Sequence, residues 1–220
     1  MNKIFVQKIK LQKGQGLMEL IVAIGVITVG LFSVWSLFFA NFAGEQEAET
    51  RMVASNLARE GLEVVKNIRD SNWLAVENNA TTISGSLWTW DNGFATPGYY
   101  VLGQLFSTSS SYVGSTTLIS ITDPSAPATK LYINKDRFYD HDPAGSPAMF
   151  SRFITVKDIC CASANNFTCD NSTVDFKSLD TPCSSGQIKI GVDVASEVRW
   201  QSNNNQSRKV ILENQLFNWR

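Results

Sequence analysis

Leu20 to Gly44 reads LIVAIGVITVGLFSVWSLFFANFAG, 25 residues without a charge, in which only Thr28, Ser33, Ser36 and Asn41 are clearly polar. As an α-helix rising about 1.5 Å per residue it extends roughly 37 Å, more than the ~30 Å hydrocarbon core of a bilayer. Buried helices of soluble domains rarely run this far uncharged, so the stretch reads as a transmembrane helix. Toward the N-terminus, residues 1–14 carry Lys3, Lys8, Lys10 and Lys13 and no acid. Basic flanks stay cytoplasmic, which places the short tail inside and the bulk of the chain outside. A cleavable secretory signal fits less well, since its apolar region spans about 7–15 residues and ends small-x-small. Here Asn41-Phe42-Ala43 puts Asn two before the candidate Ala43.

Between flank and span lies Lys13-Gly14-Gln15-Gly16-Leu17-Met18-Glu19-Leu20. Glu19 is a carboxylate at the membrane edge of an otherwise uncharged helix. Such a group costs several kcal/mol at membrane depth unless it finds a partner, so it marks a functional position. The plainer alternative is an interfacial acid favoured by the helix macrodipole.

These residues resemble the type IV prepilin family, whose signature is a basic leader ending in Gly, Glu at the fifth mature position, and about twenty apolar residues. Aligning Glu19 to that glutamate puts the cleaved bond at Gly14–Gln15. The resemblance implies that a prepilin peptidase removes residues 1–14 and N-methylates Gln15. It also implies that Glu19 pairs with the terminal amine of a neighbouring pilin subunit, a partner that makes a buried carboxylate tolerable. Gln15 stands where the family usually has Phe, and Gly16 where Thr or Ser is common. No proline interrupts the span, so Gly25 and Gly30 are the points of local flexibility or close helix approach.

Beyond Gly44 the chain becomes charged yet stays helix-like through about Asp70. Val53, Leu57, Leu62, Val65 and Ile68 recur at helical spacing as an apolar stripe. Glu47/Arg51, Arg59/Glu63 and Lys66/Asp70 are i,i+4 pairs, and Ser71-Asn72 supplies a break. The stripe is expected to pack on the protein's own sheet, giving one helix of about 55 residues, near 80 Å. Residues 56–73 resemble the corresponding helix end of minor pilins of the pilus modification class.

Residues 74–220 read as β-rich. Trp88-Thr89-Trp90 before Asp91-Asn92-Gly93 marks a short strand and a turn. Further strands are expected at Tyr99–Leu105, Leu118–Thr122, Lys130–Ile133 and Phe150–Ile159, with loops at Ser107–Ser111, Asp123–Thr129 and Asp142–Pro147. Ile188, Ile190, Val192, Val194, Val198 and Trp200 alternate with Lys189, Asp193, Glu197 and Arg199, predicting a strand with one buried face. A polar turn, Gln201–Ser207, then leads into Lys209–Trp219 as a hairpin. Its close, Leu216-Phe217-Asn218-Trp219, is similar to that of modification-class pilins. The fold expected is α+β, a long N-terminal helix packed on a C-terminal antiparallel sheet. Its parts are a leader (1–14), a transmembrane half-helix (15–44), an amphipathic half (45–73) and an exported globular domain (74–220).

Cys160, Cys161, Cys169 and Cys183 all fall in that exported part. An even number in an oxidising compartment predicts two disulfides. A vicinal bond is strained, so Cys160 and Cys161 are each expected to pair with Cys169 or Cys183. A zinc site is the rival, but paired C-x2-C spacing is missing and no histidine is near. His141, the single histidine, lies between Asp140 and Asp142 without a nucleophile motif, the pattern of a solvated loop residue. Asn134, Asp136, Asp140 and Asp142 offer oxygens for calcium but lack EF-hand spacing.

The chain has 19 basic and 20 acidic side chains; without the four leader lysines the balance is 15 against 20. That is not the basic excess of a nucleic-acid binder. The expectation is therefore a non-enzymatic structural subunit, without cofactor, of a type IV pilus or related filament. Its partners would be the prepilin peptidase, other pilin helices, the inner-membrane assembly platform and, before assembly, membrane lipid. The alternatives are a pseudopilin of a type II secretion system and an uncleaved single-pass binding protein.

Overall fold

The computed structural model describes residues 15–79, 87–103, 117–161, 169, 174–179, 181–202 and 205–218. It is an α+β fold. Helix α1 runs Gln15–Glu77, and the strands are β1 (Gly98–Leu102), β2 (Leu118–Ile121), β3 (Lys130–Ile133), β4 (Tyr139–Asp140), β5 (Ser146–Cys161), β6 (Val174–Phe176), β7 (Ile188–Gln201) and β8 (Ser207–Phe217). The chain divides into two compact units, Met1–Glu49 and Thr50–Arg220.

In the second unit all eight strands join one antiparallel sheet built around β5. On one side β5 pairs with β7, which pairs with β8. On its other side it meets β3, β1 and β6 in turn. Even-numbered residues of β5 and β7 face α1: Phe150, Ile154, Val156, Val192, Val194, Val198 and Trp200 are buried. On the helix the buried line is Ala54, Leu57, Ala58, Gly61 and Val65. The expected stripe is thus shifted, with Val53, Leu62 and Ile68 packing from its flanks. Small residues occupy the centre because the sheet lies close there; a Cβ on Gly61 would run into the Ser196 side chain.

Four further expectations are corrected. The helix is not broken at Ser71-Asn72 and passes the expected end at residue 73, continuing to Glu77. Asn72 is buried and donates Nδ2 to the carbonyls of Trp90 and Asn92, at 3.1 and 2.8 Å, rather than competing with its own backbone. That engagement, with the turn bonds Asn92 N–H to Thr89 O and Phe94 N–H to Asp91 O, makes residues 90–93 a turn, and Trp88-Thr89-Trp90 is not a strand. β5 is longer than expected and absorbs Ser146 and Pro147 from the predicted loop and Cys160 and Cys161 at its other end. Asp70 pairs with Arg69 at 2.7 Å rather than with Lys66. Leu105, Ser107–Ser111 and Trp219 lie outside the described residues.

The hairpin of β7 and β8 has the expected alternation down to Val192, where it fails for a stated reason. Opposite β5 the register jumps from Ile159↔Gly191 to Cys160↔Lys189, so Ile190 is an extra residue, a β-bulge. Beyond it the faces exchange. Ile188 becomes 45% exposed, whereas Lys189 turns inward to ion-pair with Asp158 (2.9 Å) and Asp91 (3.0 Å) and to donate to Ala95 O (2.7 Å). Lys189 and Asn72 together fasten the 90–96 turn to the sheet and the helix.

Two disulfides, Cys160–Cys183 and Cys161–Cys169, resolve the pairing left open by the sequence. Neighbouring residues of a strand point to opposite faces, so two vicinal cysteines naturally reach two different partners. Each closed loop stabilises the fold by about 3 kcal/mol on loop-closure reasoning.

Candidate functional site

The described part of the first unit, residues 15–49, is the N-terminal stretch of α1, and from Leu17 to Phe42 its surface is mostly apolar. Seventeen large hydrophobic residues from Leu17 to Phe42 are 48–76% exposed. Leaving them in water forfeits on the order of 20 kcal/mol of burial free energy, so this surface requires a lipid or protein cover. Its few polar groups suit such a cover. Thr28 Oγ1 donates to Gly25 O and Ser33 Oγ to Val29 O, both at 2.9 Å, so the two hydroxyls are satisfied inside the helix. Trp35, Phe38, Phe39 and Phe42 form edge-to-face contacts toward the C-terminal end of the apolar stretch. Cβ atoms added at Gly16, Gly25, Gly30 or Gly44 would meet nothing within 4 Å.

Gln15 is the first residue of α1, and Gly14 lies outside the described residues. Glu19 is exposed in the second turn beside the exposed apolar residues Leu17, Met18, Leu20 and Ile21, with no ion-pair partner among the described residues. The cysteines form their own cluster at the end of β5.

A second feature went unanticipated. Between the two apolar clusters that join α1 to the sheet, one around Val65 and Ile154, the other around Leu57 and Phe150, lies a polar layer. Arg152, fully buried on the inward face of β5, places Nη1 3.2 Å from Glu60 Oε2 and donates to Leu57 O at 3.2 Å. Burial pulls the guanidinium's pKa down, and Glu60 holds it up. Ser196, facing Gly61, is the other polar member. The signal was present in the sequence: Arg152 shares the even-numbered face of β5 with the apolar Phe150, Ile154 and Val156.

Among the described residues no cluster of histidine, cysteine or carboxylate side chains is placed to hold a metal ion, and the side-chain oxygens around His141 serve the turns. Asn134 Oδ1 accepts the N–H groups of Asp136 and Phe138, Asp140 Oδ1 that of Asp142, and Asp142 Oδ1 that of Ala144. These oxygens cap the turns joining β3 to β4 and β4 to β5. His141 is more enclosed than a solvated loop residue: its Nδ1–H donates to Ala128 O at 2.9 Å. Burial, then the Arg152 charge, lower its pKa from 6.5 to about 4, against the opposing pull of two carbonyls. A base held neutral in the fold makes the unfolded chain the better proton binder between those values, so stability falls as pH drops from about 6.5 to 4. The loss from this residue is up to about 3 kcal/mol. His141→Gln is expected to shrink the difference in urea-unfolding free energy between pH 7 and pH 4.5; an unchanged difference would contradict the assignment.

No protein-family model, curated protein or solved structure matches this chain.

Proposed function

We propose that the chain is a pilin-like subunit, structural rather than catalytic, which is anchored by α1 in a membrane and then transferred into a filament. The observation that carries this reading is the exposed apolar stretch Leu17–Phe42 with one carboxylate, Glu19, at its start and a disulfide-pinned β domain in the same chain. Anchoring alone accounts for the apolar surface. Glu19, five residues after Gly14, adds the need for a cationic partner that none of the described residues supplies. In a filament the amine freed at Gln15 of a neighbour supplies it, and neighbouring helices take the place of lipid around the span.

Intact-mass measurement of membrane-extracted protein from cells with the processing machinery tests this. A chain starting at methylated Gln15 is expected, and Gly14→Val should leave the leader attached. An intact Met1 start in the wild type would sink the proposal in favour of a single-pass anchored protein.

A further inference from the structure

The face of the sheet turned away from α1 carries cations in register. Lys130 of β3 lies opposite Ser151 of β5, Ser151 opposite Arg199 of β7, and Arg199 opposite Lys209 of β8. Direct cross-strand neighbours share a face, and two strand spacings separate Lys130 from Arg199 by about 10 Å, with Ser151 between them. Like charges directly opposite each other, as at Arg199↔Lys209, destabilise a sheet. Glu197 relieves this in part, at 2.7 Å from Arg199 Nε and 3.8 Å from Lys209 Nζ, which leaves three cations against one carboxylate. Arg199 also lies over the Phe153 ring, 4.6 Å from its centroid, which leaves Lys130 as the row's cation at the cleft without an ion pair among the described residues.

At the same place the sheet opens. Between Lys130↔Ser151 and Tyr132↔Pro147, β5 spends Ala148, Met149 and Phe150 against the single residue Leu131, so it bows away from β3. The β5–β7 ladder ends at Phe150↔Trp200, so the first residues of β5 extend beyond it. A cleft of about 480 Å³ results. Lys130, Ser151 and Arg199 line it with the apolar Pro147 and Met149 and the neutral polar Gln201 and Ser207, and no carboxylate does. That size lies in the lower half of the range for small-molecule sites.

We propose that this cleft binds an acidic sugar residue of a surface polysaccharide. The lining chemistry points to that ligand. The cations call for an anion, and the hydroxyl and amide groups of Ser151, Ser207 and Gln201 donate and accept, matching sugar hydroxyls. The Met149 and Pro147 side chains offer an apolar wall to the C–H face of a sugar ring. An acidic peptide would use the cations but leave the hydroxyl-matching groups idle, and Pro147 blunts the strand edge against backbone pairing. The inference concerns the globular unit only and does not depend on filament assembly.

Titration calorimetry on the full chain in detergent micelles, with trigalacturonate as probe, tests it. Binding is expected for trigalacturonate, with at least tenfold loss for its methyl ester and for Lys130→Glu, and weakening in 0.5 M salt as fits a charge contact near the surface. Lys66→Glu, the same charge change on an exposed face of α1, should bind like the wild type. Lys130→Gln serves if the charge reversal lowers the melting temperature. Equal binding of the methyl ester, equal competition by acetate at matched concentration, or no binding would each overturn the proposal.

Discussion

Glu19→Ala is expected to leave the protein cleaved and membrane-bound but to reduce its recovery in sheared filaments at least tenfold. The argument combines position and charge. Glu19 lies in the second turn of α1, exposed beside Leu17, Met18, Leu20 and Ile21. In lipid a carboxylate so near the interface reaches headgroups and water, so its removal does not harm anchoring. In the proposed filament the same position is surrounded by apolar helices, where an ammonium partner offsets the desolvation of the carboxylate. Removing the acid leaves that ammonium buried and unpaired, a loss of about 3–5 kcal/mol on the usual scale for breaking a buried pair. Glu19→Gln should fail nearly as completely, since an amide keeps the shape but not the charge, whereas Glu19→Asp should retain part of the incorporation. Quantitative immunoblots of sheared and cell-bound fractions separate these cases. Wild-type incorporation of Glu19→Ala, with normal cleavage, would remove the pairing role.

How much of this was legible beforehand varies with the length scale of the physics involved. The apolar run is a local property, and 25 uncharged residues leave few other interpretations. Alternation in β7 was equally plain because one face of a strand either meets a core or does not. The bulge at Ile190 was not legible. It depends on a register with β5 thirty residues away, and that register alone turns Lys189 inward onto Asp158 and Asp91. Asn72 failed in the opposite direction. Taken by itself it is a helix breaker, but two loop carbonyls eighteen and twenty residues on occupy its amide. Strands β4 and β6, of two and three residues, are too short for a period to register. Glu19 stood out by contrast with its neighbours, but the described residues give it no ion-pair partner, and in the proposed filament that partner lies in another chain. Arg152 was passed over because a charged residue within a strand is ordinarily assigned to the solvent face.

Arg152 supports the largest expected effect on folding, and it is an asymmetric one. Glu60→Ala should destabilise the globular unit by about 2–4 kcal/mol, whereas Arg152→Met should cost less than about 1 kcal/mol. Arginine cannot shed its proton, so without Glu60 a fully buried cation keeps only the Leu57 carbonyl at Nη1. Losing the arginine instead strands Glu60, whose side chain is 37% exposed and can turn to water. Methionine then fills the layer between the two apolar clusters with a flexible chain of similar length. The double variant should resemble Arg152→Met alone, because Glu60 has no role once the cation is gone. Urea unfolding of the four proteins measures this cycle. The idea fails if Glu60→Ala is harmless, or if Arg152→Met is the worse of the two. We expect the pair to contribute less to net stability than to choosing one alignment, since apolar contacts on either side of the layer are non-directional. In that case Arg152→Met, though stable, should give doubled amide resonances for residues 54–65 of α1 and for β5. A single sharp set would assign the register instead to the close approach of Gly61 and Ser196.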